Sequence, residues 1–152
     1  MTSVAAVVRT LALALWVGGM AALDFIDAPV RFASPLLTRN QAVGIGQAVF
    51  ARWNPVEWTL ALIALAAALL AASPIWTAWL LGFMLVLVTV QGWYLAPAIT
   101  RLSQGLDFVN RASGDPRYAA IRHLHSTYAV FEVILLVAGA VILGAWAVAG
   151  RR

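Results

Sequence analysis

Cysteine is absent from this 152-residue chain, and so is lysine: all ten basic residues are arginine. Without cysteine there is no disulfide, no thiolate metal site and no iron–sulfur cluster. The missing lysine reads as codon bias rather than function. Charge is scarce, at 11% of residues, where soluble domains carry about a quarter. Acids number six and histidines two, and the net charge of +4 sits in connections, which argues against a nucleic-acid partner. No nucleotide-binding loop, catalytic triad or zinc motif is present.

Apolar residues are abundant instead. The chain is 63% hydrophobic, with a mean hydropathy of +0.89. Its seven Trp and three Tyr are residues whose apolar rings and wet tips favour the headgroup level. A span needs about 20 predominantly apolar residues, and four stretches qualify: Val4–Ile26, Pro55–Ala72, Trp76–Ala96 and Ser126–Ala149. The expected fold is all-α, a four-helix bundle in the membrane, with residues 1–152 forming a single four-span domain. Val4–Ile26 is too long for a signal-peptide core and is expected to remain as an anchor.

Proline and polar residues set the expected boundaries. Ala28-Pro29 is expected to end span one and Pro97 to end span three, because proline disfavours helix in the residue before it. Thr38–Trp53 is too polar to span, and its apolar side predicts a short interfacial helix between spans one and two. Asn54 reads as the N-cap of span two, with Pro55 in its first turn. Asp115-Pro116 reads likewise for a fourth helix running to Ala149, roughly 50 Å long and therefore projecting beyond a hydrocarbon core of about 30 Å.

Four spans place both long connections at one end and both termini at the other. The connections hold Arg31, Arg39, Arg52, Arg101, Arg111, Arg117 and Arg122; the terminal end holds Arg9, Arg151 and Arg152. The positive-inside rule then puts the connections in the cytoplasm and the termini outside, in a bacterial inner membrane.

The ionisable residues of the spans gather toward the connection end. Span one brings Asp24 and Asp27, span two Glu57, span three Gln91, and span four His123, His125, Tyr128 and Glu132. Charge in hydrocarbon is costly, so an acid such as Glu132 within a span needs a role or a partner. Tyr118, Arg122, His125, Tyr128 and Glu132 are three or four residues apart and form one helical stripe. His125 and Glu132 are candidates for ligand or proton binding, with Glu57, Asp24, Gln91 and Tyr128 around them. Each has a bland alternative: Glu57 as an early-helix acid, His125 as an interfacial hydrogen-bonding residue, and Asp24 in ion pairing near a helix end with Asp27 and Arg31. The two histidines point to different faces, so any metal would rest on His125 alone.

Several short motifs occur in order: Trp16-Val17-Gly18-Gly19, Ala28-Pro29 followed by Phe32, and Gly46 through Phe50. Trp93 and Pro97 follow, then Asp115-Pro116-Arg117-Tyr118, Ile121-Arg122 and His125. Together they resemble the transmembrane protein 205-like family, whose bacterial members form a domain of unknown function. The resemblance implies a four-helix membrane protein. The vertebrate member's association with tolerance to platinum drugs implies metal or drug export. The family often has a histidine early in the first helix, where Arg9 stands in this chain.

Three functions compete. The first is binding or passage of a small cation, proton or solute at the polar cluster, in a bundle so narrow that transport would call for a homo-oligomer. The second is a non-catalytic accessory subunit in a larger respiratory, photosynthetic or transport complex. The third is a haem- or quinone-linked redox protein with His125 as a single axial ligand. No cofactor is required by the sequence, no enzyme signature is present, and the partner common to all three is the lipid bilayer.

Overall fold

A computed structural model describes residues 2–112 and 114–149, with side chains from Val4 onward. Arg151 and Arg152, counted above for orientation, lie outside the described residues. Four long apolar helices follow one another. Helix α1 joins an α-helical stretch, Thr2–Ala22, through a π turn, Leu23–Asp27, to a last stretch, Ala28–Ala33. Helix α2 is Arg39–Leu70. Helix α3 joins Ile75–Val90 through a second π turn, Gln91–Leu95, to Ala96–Ser103. Helix α4 is Pro116–Ala149. All four are long and apolar enough to cross a membrane. The long connections, at one end of the bundle, mark the loop side; Ala71–Pro74 closes the other end as a tight turn.

The expected proline boundaries are overturned. Pro29 and Pro97 lie inside continuous helices, each just after a π turn and an alanine. Proline lacks an N–H and clashes with the carbonyl four residues back. The π turn relieves the clash because it widens the backbone ring to i→i−5 bonds, donated by Ala28 to Leu23 and by Ala96 to Gln91. Thr38–Trp53 is not a separate interfacial helix either. It continues through Pro55 as the first half of α2, so Asn54 is no cap. The start lies instead at Thr38, whose Oγ1 accepts from the Gln41 N–H at 3.2 Å while Gln41 Oε1 accepts from the Thr38 N–H at 2.8 Å. Asp115 does cap α4, its Oδ1 accepting the Arg117 N–H at 2.9 Å.

The core is built from one stripe of each helix. Leu13, Trp16 and Met20 of α1 meet Ala61, Ala64 and Ala68 of α2, Leu81, Met84 and Val88 of α3, and Leu135 and Ile142 of α4. Lipid is as apolar as leucine, so close approach of small residues, not hydrophobic force, holds such helices together. Gly19 lies directly under the Trp53 ring and Gly139 against Val17, contacts that a Cβ would block, whereas Gly18 next door faces open space.

Candidate functional site

Glu57 and Glu132 stand 18 and 16 residues into α2 and α4, roughly 25 Å from the loop-side end of helices about 50 Å long. Both therefore lie near the middle of their helices, and Glu57 is no first-turn acid. Both are buried, Glu57 completely. A buried carboxyl must be hydrogen-bonded, and each finds its partner on a neighbouring helix. Glu57 Oε1 accepts the Trp16 indole N–H at 2.8 Å. Glu132 Oε1 accepts from Gln91 Nε2 at 3.0 Å, and the same amide donates to the Tyr128 carbonyl at 3.3 Å. The second oxygens, Glu57 Oε2 and Glu132 Oε2, and the Gln91 carbonyl oxygen are buried with no donor.

Asp24 enters from the π turn of α1, half-buried, with its carboxyl near Glu132. Two acids so placed repel one another when both are ionised. Asp24, Glu57 and Glu132 all lie close enough to act on one another electrostatically. The buried Tyr128 stands edge-on to Phe50, and its hydroxyl donates to Asn54 Oδ1 at 3.5 Å. Among the described residues no cation pairs with this group. The ion pairs among the described residues are Asp27 with Arg31, one turn toward the loop side, and Asp115 with Arg117 in the second connection. The Arg31 guanidinium is buried against Gly46 of α2.

Of the residues singled out in the sequence, the structure thus brings Asp24, Glu57, Gln91, Tyr128 and Glu132 into one cluster. His125 is on the same stripe of α4 and near Asp24, yet exposed, because the stripe leaves the packed interior at its loop-side end. His123 is exposed as well. Among the described residues no three His, Asp or Glu side chains gather closely enough to hold a metal ion. Trp16 joins the cluster although tryptophan as a class favours the headgroup level. Its position halfway along a span was the signal, since an indole N–H away from the headgroups must find a buried acceptor.

Outside the membrane a second polar network ties the two long connections together. Asn40, at the start of α2, donates to Asp107 Oδ1 at 2.9 Å and accepts the Phe108 N–H at 2.7 Å. The Tyr118 hydroxyl donates to the Asp107 carbonyl at 2.6 Å. Hydrogen bonds from Asn40 and from the backbone N–H groups of Val109 and Asn110 hold the Asp107 carboxyl down at a pKa of about 2.

Residues 11–106 match the family described as Domain of unknown function (DUF4149). The chain belongs to that family. The matched stretch begins within α1 and runs through α2 and α3 with Trp16, Asp24, Glu57 and Gln91, and ends before the helix that carries Glu132. No curated protein and no solved structure matches the chain.

Proposed function

We propose that this DUF4149 protein binds a proton, or a small monovalent cation held by no more than two of the carboxyls, among Asp24, Glu57 and Glu132. One observation carries the reading: acids from three helices, Glu57 and Glu132 buried and Asp24 half-buried, lie within electrostatic range of one another with no paired cation among the described residues. Ionised acids are not sustained there without neutralisation, so the group calls for protons or a bound cation. Gln91 and Trp16 hold one oxygen of each glutamate and leave Oε2 of each for the bound species. Access runs from the loop side, where Tyr128, Asn54 and the Asp27–Arg31 pair extend the polar residues outward. The short-turn side is blocked by Leu13, Ala64, Ala68, Leu81 and Ile142.

The order of short motifs that resembles the transmembrane protein 205-like family supports the same reading. The excess of arginine at the loop side favours a cytoplasmic loop face in a bacterial inner membrane. Passage of the ion through so narrow a bundle would take a homo-oligomer.

A hydrophobic carbodiimide tests the proposal, because it modifies protonated carboxyls in apolar surroundings. Mass spectrometry of the treated protein should find the adduct on Glu57 or Glu132, and on neither in Glu57→Gln/Glu132→Gln. Protection by millimolar sodium would assign a cation; labelling that only a rise in pH suppresses would assign a proton. Carboxyls that stay unmodified from pH 5 to 9, with no proton or sodium uptake, would overturn it.

A further inference from the structure

The opposite end of the bundle carries the complementary chemistry. All six acids of the chain lie in the loop-side half or its connections, while Arg9 projects from the early turns of α1 at the short-turn end. Its Nη1 donates to Ser73 Oγ in the α2–α3 turn. Its guanidinium carbon sits 4.5 Å from the centre of the Trp146 ring, on α4. Arginine and tryptophan side chains only donate hydrogen bonds. Arg9 Nε and the indole N–H of Trp146 are both buried without an acceptor, and Trp146 is only 6% exposed. Among the described residues no carboxylate pairs with Arg9. A positive charge and two unused N–H groups thus belong to one stacked pair of side chains, and the ligand they fit is an anion rich in oxygen.

Depth says which anion. Arg9 is five residues into the span Val4–Ala33, about 8 Å along it, and Trp146 is three residues from the end of α4. That is headgroup level, where phosphodiester is the abundant anion and where tryptophan gathers. A guanidinium fits phosphate through two parallel N–H bonds. We propose that Arg9, Trp146 and Ser73 form a binding site for a phosphate group, that of a phospholipid in the leaflet at the short-turn end. The site stands independently of the carboxyl cluster.

Native mass spectrometry of the full chain, delipidated in a maltoside detergent and titrated with dioleoyl-phosphatidylglycerol, tests it. One saturable lipid is expected, weakened at least tenfold in Arg9→Gln and less in Arg9→Lys. Trp146→Phe keeps a ring beneath the guanidinium and removes the N–H, so it should weaken binding severalfold, while Glu132→Gln leaves it unchanged. Equal binding of a phosphate-free dioleoylglycerol, or full retention of the lipid by Arg9→Gln, would overturn the site. Displacement by millimolar inorganic phosphate would overturn the lipid assignment in favour of a free anion. Should Arg9→Gln fail to fold, unchanged lipid binding in both Trp146→Phe and Ser73→Ala would overturn the proposal.

Discussion

The loop-side half and the short-turn half of this bundle solve the same packing problem in different ways. Toward the short turn, Ala64 and Ala68 let α1 and α3 pack closely against α2, Leu13, Leu81 and Ile142 fill the space, and the buried Thr77 hydroxyl is spent within its own turn on the Pro74 carbonyl. Toward the loops, the interior is held by directed bonds: Trp16 to Glu57, Gln91 to Glu132, Tyr128 toward Asn54. The first kind of contact tolerates any side chain of similar shape, the second fixes which atom faces which. A membrane protein that needed only to fold would have little reason to leave carboxylate oxygens unpartnered in its core. The difference separates an apolar layer that serves as scaffold from the layer that holds the carboxyls.

The largest effect should come where both kinds of packing depend on one side chain. Trp16→Ala removes a fully buried ring and strips Glu57 of its donor, so a loss of about 3–5 kcal/mol is expected in reversible unfolding from detergent micelles. A loss no greater than that of an exposed tryptophan such as Trp79 would erase the distinction between the halves. Next come the adjacent glycines. Gly19→Ala drives a methyl into the Trp53 ring and should cost about 1–3 kcal/mol, whereas Gly18→Ala should fall within about 0.5 kcal/mol of wild type in the same assay. Glu132→Gln keeps the shape and an acceptor for Gln91, so stability should change by less than about 1.5 kcal/mol. The infrared carboxyl band assigned to the cluster should nevertheless shrink, and an unaltered band would place Glu132 outside it.

The smallest effect concerns the connections. Asp107 has a carboxyl pKa of about 2 in the folded chain, below the ordinary aspartate value of about 3.9. Its ionised form is therefore the one the fold favours. Its contribution is complete above about pH 4 and disappears as pH falls through about 2. Amide exchange at Phe108 and Val109 should quicken over that window, and Asp107→Asn should flatten the response.

Hydropathy made the four spans legible because a run of some twenty apolar residues has few other uses. The gathering of Asp24, Glu57, Gln91 and Glu132 was legible too, since span direction alone assigns each to the loop-side half. Helix ends were not. Pro29, Pro55 and Pro97 look like stops by the rules of water-exposed helices, but a helix packed among neighbours in lipid carries on, and two of the three positions are absorbed by π turns. Nor could spacing choose among the ionisable residues of α4. Tyr128 and Glu132 are covered by α2 and α3 while His125 is left outside, and that depends on where the neighbouring helices end their contact.

The two π turns also change the oxygen inventory of the membrane interior. Ala28 and Ala96 give their N–H groups to Leu23 and Gln91, one residue earlier than an α-helix would. The next residues in line as donors are Pro29 and Pro97, which have none to give. The main-chain carbonyls of Asp24 and Gly92 are thereby left without a donor in their own helices. Both belong to residues at the level of the carboxyl cluster, one in each of the two parallel helices. Main-chain oxygen cannot be mutated away or protonated at any physiological pH, so whatever the side chains exchange there, these two acceptors stay constant.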